Sequence, residues 1–408
     1  MLLPKPYKLY NKIQHYSWGT KNADAFIPKF LGIAPEADVP YAELWIGAHP
    51  SASSEVEANG TRTSLFELVR QYPAEILGER TAKKFNNTFP FLLKILSASQ
   101  ALSIQTHPTK EQAALLHQNY PQHYPDDNHK PEIAVAVDSL LAIAGFRPAD
   151  EIVRFIMQFS ALRKFDNEGI IQRLIKEKEE DERKKLLVKF YASIMRSAEK
   201  KELLKEVIDA VLQQLASIRD ITREEDYFIM QFGIYGYDVG LFSFFFFNFI
   251  QLRSGQAIFT PAGVPHAYLS GTIVECMANS DNVVRAGLTP KYKDVETLLQ
   301  ILRADFSNYE IINEEQKNDD VQYITAAEEF VITKFSVENK FTRLFKTKEK
   351  PVVLLMMSGK IEIQWNGEGE KKSLVGKKGE AYLLPSITNE VVLSAADEAS
   401  FFYVTIPE

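Results

Sequence analysis

The sequence predicts a mainly β chain with an α-helical segment set into it, and three observations carry the prediction. Residues 1 to about 146 are rich in Pro, Gly and short apolar runs such as FPFLLKIL (89–96) and PEIAVAVDSLLAIAGF (131–146), which read as strands between turns. From about 147 to 227 the apolar residues fall at helical spacing instead. After residue 240 the β style returns.

Taken in order, the helical reading rests first on PADEIVRFIMQF, where Ile152, Phe155, Ile156 and Phe159 share one face. Leu203, Leu204, Val207, Ile208, Val211, Leu212 and Leu215 repeat that spacing further on. Between them KEKEEDERKK (176–185) reads as a solvated helix face or turn and has no functional role. FSFFFFNFIQL (242–252) has the length and aromatic content of a buried strand. The stretch GQAIFTPAGVPHAYLS, from Gly255, then repeats as GEAYLLPSITNEVVLS, from Gly379, with Gly, Ala, Pro and a closing Leu-Ser at equal offsets. Two β domains of one plan would give this echo. In its register His266 falls opposite Glu390, and residues 351–408 contain no histidine, so any metal site belongs to the first copy.

Composition narrows the function. With 408 residues, 45% hydrophobic and 12% aromatic, the chain has material for two or three packed domains. A net charge of -7 lacks the basic footprint that phosphate neutralisation on a nucleic acid requires. The opening MLLPKPYKLYNKIQHYSWG has no apolar core of a signal peptide, and the longest apolar run, from Phe242 to Ile250, is too short for a bilayer. A single cysteine, Cys276, leaves no internal disulfide, so a reducing cytoplasm is the expected location.

Three polar clusters interrupt the β text. In SIQTHPTK (103–110), Ser103, Gln105 and His107 line one face of an extended segment, while Leu102 and Ile104 take the other. A polar face turned into a barrel needs a ligand or ion to satisfy it, whereas one turned to water needs nothing. In DDNHKPE (126–132), Glu132 starts a strand after a proline, with His129 and Lys130 in the preceding loop. In PAGVPHAYLS, Pro261, Gly263 and Pro265 make a turn that delivers His266 into a strand, with Tyr268 on the same face. Two of these histidines with Glu132 form a two-His, one-carboxylate set, which suits several metals.

Together with YSWG (16–19), YAELWIGAHPS (41–51), FLLKILSASQALSIQTHPTK (91–110) and PAGVPHAYLSGTIVECMANSDNVVRAGLTPKYKD (261–294), these clusters identify the chain as a member of the type I mannose-6-phosphate isomerases. These are zinc enzymes of the cupin superfamily. The resemblance implies two cupin-like jelly-roll β domains with an inserted α-helical domain. A discontinuous catalytic cupin would span 1–146 and 240–320, the helical insertion 147–239, and a cupin-like domain without metal 321–408.

The resemblance also implies roles. One zinc ion would be held by Gln105, His107, Glu132 and His266, and Arg285, in NVVRAGLT, matches the family's catalytic arginine. Trp18, Glu43, Lys94, Ser103, His129, Lys130, Tyr268, Glu275, Asp281 and Lys291 fall on its pocket positions. Lys130, Glu275 and His129 are alternative general bases, and Ser103, Lys94, Lys130 and Lys291 are phosphate contacts. Thr109 stands where the family commonly has Asp, which puts a local turn contact in question. The implied substrate is a sugar phosphate, with no nucleic-acid or membrane partner; a monomer is expected, with an oligomer left open. An iron-dependent cupin oxygenase would suit His107, His266 and Glu132 alone, but Gln105 occupies a position that oxygen chemistry needs. A non-catalytic sugar-binding cupin has no use for Arg285.

Overall fold

The computed structural model describes residues 2–58, 60–304, 309–313, 320–367 and 369–408. The last residues before the boundary expected at 320, namely 314–319, lie outside the described residues. Among the described residues, three sheets carry the architecture. The sheet that builds the site runs Ala257–Thr260, Glu132–Phe146, His266–Ala278, Phe91–Ala98, Glu43–Gly47 and Lys12–Gln14, with Phe247–Arg253 added to the Glu132 strand. Two short strands, Ile104–Thr106 and Val284–Gly287, pair with each other, and the first also meets His266. All pairings are antiparallel.

The alternation in PEIAVAV has a direct structural meaning. Ile133 and Val135 enter one core with Ile95, Val274 and Cys276, whereas Ala134 and Ala136 face the other side with Leu96, Tyr268 and Ile273. On that inner side, Ala134, Ala136, Ala142 and Ala144 stand opposite Glu275, Ile273, Tyr268 and His266. Four methyl-sized neighbours leave room for the larger side chains across from them, of which Glu275, Tyr268 and His266 are polar.

A second sheet orders Asp320–Tyr323, Val331–Val337, Ala399–Thr405, Val352–Ser358, Ala381–Leu384, Tyr7–Tyr10, Glu55–Ala58 and Thr61–Ser64. Strands from both ends of the sequence thus share one hydrogen-bonded layer, with Lys8 opposite Tyr382 at the junction. The four-stranded sheet Phe341–Lys346, Glu390–Ala395, Lys360–Gly367 and Glu370–Lys377 packs against it through an aromatic core of Phe335, Phe341, Phe345, Phe401 and Tyr403. The sequence echo is structural. Gly255 and Gly379 both have φ of 84°, a left-handed value glycine adopts without strain, and Ala257–Thr260 and Ala381–Leu384 follow at the same offset.

Two expectations are corrected. Residues 1–146 contain, besides strands, the helices Phe26–Leu31, Leu65–Gln71, Pro73–Leu77, Glu79–Lys84 and Lys110–Asn119. Each is ten residues or shorter, too short for its period to stand out against Pro- and Gly-rich text. The FSFFFFNFIQL run is not one strand: Ser243–Phe246 is a helical turn, and only Phe247–Arg253 is extended. The physical reason lies in where the rings go. Phe245 stacks on Phe155, Phe159 and Phe228 at 5.0, 5.0 and 5.1 Å, Phe246 meets Tyr191, and Phe244 meets Tyr227. Rings in three directions need a helical turn, because a strand offers two. Truncating a ring packed like Phe245 to alanine costs about 3–5 kcal/mol.

Helices Ala149–Gln158, Ile170–Lys176, Glu180–Met195, Lys201–Leu215 and Arg223–Tyr235 surround this aromatic centre, and the spacing predicts the first and fourth of them. Asp238 ties them to the site sheet. Its Oδ1 accepts from the N–H groups of Gly240 and Leu288, each at 2.8 Å, and its Oδ2 from Lys293 Nζ at 2.9 Å.

Candidate active site

Pro261–Pro265 and the Pro131–Glu132 step behave as the sequence predicts: strands begin at His266 and at Glu132. SIQTHPTK forms a strand only over Ile104–Thr106 and then turns at Pro108 into the helix Lys110–Asn119. Thr109 caps that helix. Its hydroxyl accepts from Gln112 N–H at 3.3 Å while the Gln112 side chain accepts from Thr109 N–H at 2.9 Å, so threonine performs the cap that aspartate would.

These starts converge on one buried cluster. His266 Nε2 lies 2.8 Å from Glu132 Oε1, and His107 Nε2 lies 3.4 Å from Glu132 Oε2. The amide end of Gln105 is 3.4 Å from His266 Nε2. Both imidazoles are locked from behind: His107 Nδ1 donates to the Asn282 carbonyl at 2.8 Å and His266 Nδ1 to the Val264 carbonyl at 3.0 Å. A ring that donates from Nδ1 presents a lone pair at Nε2. Yet His107 Nε2 and Glu132 Oε2 are buried without a hydrogen-bond partner. Buried polar atoms are normally satisfied, so two orphans converging with His266 fit a cation between them.

Electrostatics agree. Burial, and then the charge of Lys130, push His107 down to about 4, which keeps it neutral. Burial opposes ionisation of Glu132, but the adjacent His266 is the largest influence against it and the carboxyl is held well below its usual range. Tyr268 donates to Glu132 Oε1 at 3.3 Å, and burial beside Glu132 and Glu275 pushes its phenol up, so it remains a neutral donor.

A second polar row crosses the neighbouring strands, where Trp45, Lys94 and Glu275 stand opposite one another. Lys94 is buried, with Nζ 3.2 Å from Glu275 Oε2, 3.8 Å from Glu43 Oε2 and 4.9 Å from the Trp45 ring centroid. Burial alone would lower Lys94, but Glu43, Glu275 and Glu132 outweigh it and raise its pKa. Burial raises Glu275 against the pull of Lys94. Lys130 Nζ lies 3.8 Å from Glu132 Oε2.

The remaining predicted residues sit further out. Arg285 is half-buried opposite Gln105, with no ion-pair partner among the described residues, and burial lowers it from its ordinary value. Trp18 packs on the inner cluster and stacks with Tyr16 at 5.7 Å, and exposed Lys291 lies 5.8 Å from the Tyr16 ring centroid. Asp281 pairs with His49 at 3.4 Å, which outweighs its burial and lowers it. Ser103 is half-buried at the start of the Ile104 strand. His129 is turned to Glu329, with Nε2 2.6 Å from Oε1, across to the segment that precedes the Val331 strand. Sequence reasoning missed Tyr16, Trp45, His49, Asp126 and Asn282; His49 carries a signal, as a histidine directly after the apolar strand Glu43–Gly47.

This fold and cluster define a cupin-like β-barrel protein with an interior site able to hold a metal ion. Comparison with known proteins narrows the class. A family model described as the catalytic domain of type I phosphomannose isomerase matches residues 7–149. The mannose-6-phosphate isomerase of Ogataea parapolymorpha is 34% identical over 97% of this chain and 96% of its own, and that of Mus musculus 32% over 100% and 97%. The structure matches a mutant phosphomannose isomerase from Salmonella typhimurium with a TM-score of 0.83 at 28% identity, covering 98% of this chain and 99% of the other. It matches a mannose 6-phosphate isomerase bound with zinc and yttrium with a TM-score of 0.81 at 28% identity, over 98% and 99%. The chain belongs to the mannose-6-phosphate isomerase family, type I, and is an isomerase.

Proposed function

We propose that the protein interconverts mannose 6-phosphate and fructose 6-phosphate, using one zinc ion per chain held by His107, Glu132, His266 and Gln105. The observation that carries the metal assignment is the pair of buried atoms without a partner, His107 Nε2 and Glu132 Oε2, which converge with His266. One carboxylate among neutral ligands leaves a divalent ion with net positive charge, and when bound it polarises the sugar's carbonyl and hydroxyl oxygens.

The reaction moves a proton between C2 and C1 through a cis-enediol or enediolate. One side chain takes the proton from C2 and returns it to C1, while O2 gives up its hydroxyl proton and O1 gains one, so that the sum is neutral. Glu275 and Lys130 are our candidates for this carrier. Glu275 is buried and raised in pKa, which suits a carboxyl that must gain and lose a proton, and Lys130 reaches the Glu132 carboxylate. Lys94, already balanced by Glu43 and Glu275, sets the charge of Glu275 in this reading, and the phosphate falls to Ser103 and Lys291 at the outer end. His129, held by Glu329, supports the loop before Glu132. Arg285 orients the sugar chain and stabilises the enediolate oxygens. Trp18, Tyr268 and Asp281 shape and wall the pocket.

No helix among the described residues is long and apolar enough to cross a membrane. We place the enzyme in the cytoplasm as a monomer, linking fructose 6-phosphate to mannose use or to the GDP-mannose supply. A coupled isomerase assay with and without chelator, alongside metal analysis of the purified protein, tests the proposal. Turnover that ceases on chelation and returns with zinc supports it. Iron as the bound metal, or no turnover of mannose 6-phosphate after zinc is restored, defeats it.

A further inference from the structure

We propose that Asp126 is a positioning residue for the metal centre, acting through Asn282 on His107; the inference rests on His107 being a metal ligand. The Asp126 carboxylate collects four donors. Oδ1 accepts from Ser280 Oγ at 2.7 Å, Asn128 N–H at 3.0 Å and Asn282 Nδ2 at 3.1 Å, and Oδ2 accepts from Asp281 N–H at 2.8 Å. Its backbone carbonyl accepts from Asn282 Nδ2 as well, at 2.6 Å.

These bonds staple the loop that leads to Glu132 onto the loop that leads to Arg285. Asn282 sits at the centre: it is fully buried, its side chain is bound to Asp126 and to the Asn128 carbonyl at 2.9 Å, and its N–H donates to Ser280 Oγ at 3.1 Å. Its own carbonyl is the acceptor for His107 Nδ1. Asp126 therefore decides where that carbonyl stands, and the carbonyl decides which way the His107 ring points and which nitrogen keeps its lone pair. Only a carboxylate offers acceptors for all four donors: asparagine would turn an N–H group toward one of them, and alanine would leave the N–H groups of Asn128 and Asp281 without an acceptor while Ser280 and Asn282 kept only backbone carbonyls.

The test uses zinc-loaded protein and follows metal loss to excess chelator for wild type, Asp126→Ala, Ser280→Ala, His107→Gln and the double variant Asp126→Ala/His107→Gln. Outer partners of metal-bound histidines are worth about 10–100-fold in affinity, so Asp126→Ala should weaken retention by about that factor. Ser280→Ala, which removes one of the four donors, should weaken it less, and it carries the test if Asp126→Ala does not fold. In the cobalt-substituted protein the visible spectrum of Asp126→Ala should shift, a change that general loss of stability does not produce. In the His107→Gln background Asp126→Ala should add little, because both changes act at one ligand. Wild-type retention in Asp126→Ala, or a full additional loss in the double variant, overturns the inference. Undiminished retention in His107→Gln instead overturns the ligand assignment beneath it.

Discussion

Gln105 and Arg285 stand directly opposite each other on the antiparallel strands Ile104–Thr106 and Val284–Gly287, and Gln105 stands opposite His266 on its other flank. Directly opposed residues share a face, with Cβ atoms about 4.5–5.5 Å apart. Three residues distant in sequence therefore form one row, with an arginine at the end of two proposed metal ligands and outside the proposed ligand set.

Arg285→Ala should for this reason separate binding of the metal from chemistry. We expect zinc content unchanged and kcat lowered about 10²–10³-fold, the usual loss when one oxyanion donor is removed. Metal analysis and steady-state kinetics on one preparation check it; a near-normal kcat removes Arg285 from the mechanism.

Glu132→Gln should do the reverse. The substitution keeps the shape but removes the anion shared by His107 and His266, which lie 3.4 and 2.8 Å from its oxygens. The purified variant should hold almost no zinc and show no turnover, with a helical and β signal in circular dichroism like that of wild type. Full zinc occupancy in Glu132→Gln would exclude it from the ligand set.

Where the site could be read in the sequence, local rules carried it. Proline before Glu132 and the Pro-Gly-Pro turn before His266 announce strand starts, and those starts place two of the proposed ligands. Thr109 reads only as a departure that puts a turn contact in question, whereas the structure makes it a helix cap completed by Gln112. What local rules do not encode is pairing between distant segments. Lys94 reads as a phosphate contact until Glu43 and Glu275 arrive on neighbouring strands, and Tyr7–Tyr10 reads as part of the first domain until Ala381–Leu384 pairs with it. Four consecutive phenylalanines fix burial but not the direction of each ring, so the turn at Ser243–Phe246 was hidden. Asp126 and Asn282 look like ordinary loop residues because their importance lies in contacts about 155 positions apart.

Lys94→Met should destabilise the protein and make its stability fall with rising pH. Removing the ammonium leaves Glu43 and Glu275 buried without their partner, a loss of about 3–5 kcal/mol for a broken buried pair. Glu275, already raised by burial, would rise further, so the folded variant binds more protons than the unfolded chain above the ordinary glutamate value of 4.5. Stability then drops as pH climbs from there until the raised folded-state value is passed. Urea melts at pH 5 and pH 8 should show the loss, and Glu275→Gln added to Lys94→Met should flatten it. A variant equally stable at both pH values would show that Lys94 does not compensate these acids.

Gly287→Ala tests whether the helical segment braces the strand that carries Arg285. A Cβ at Gly287 would lie 2.4 Å from Gly240 Cα and 2.7 Å from Asp238 Oδ1, backbone and a clamped carboxylate that cannot swing away. The methyl must push the Val239–Phe242 turn off the end of the Val284–Gly287 strand, breaking the Asp238 bond to Leu288, whose φ of 52° depends on that support. Overpacking of this kind costs about 1–3 kcal/mol, and the melting temperature should fall accordingly. Arg285 lies two residues upstream, so kcat should fall as well, while zinc bound at Glu132 and His266 on separate strands should stay. If melting temperature falls but kcat does not, the turn supports the fold alone; if both hold, the close approach of Gly240 and Gly287 is not rigid in solution.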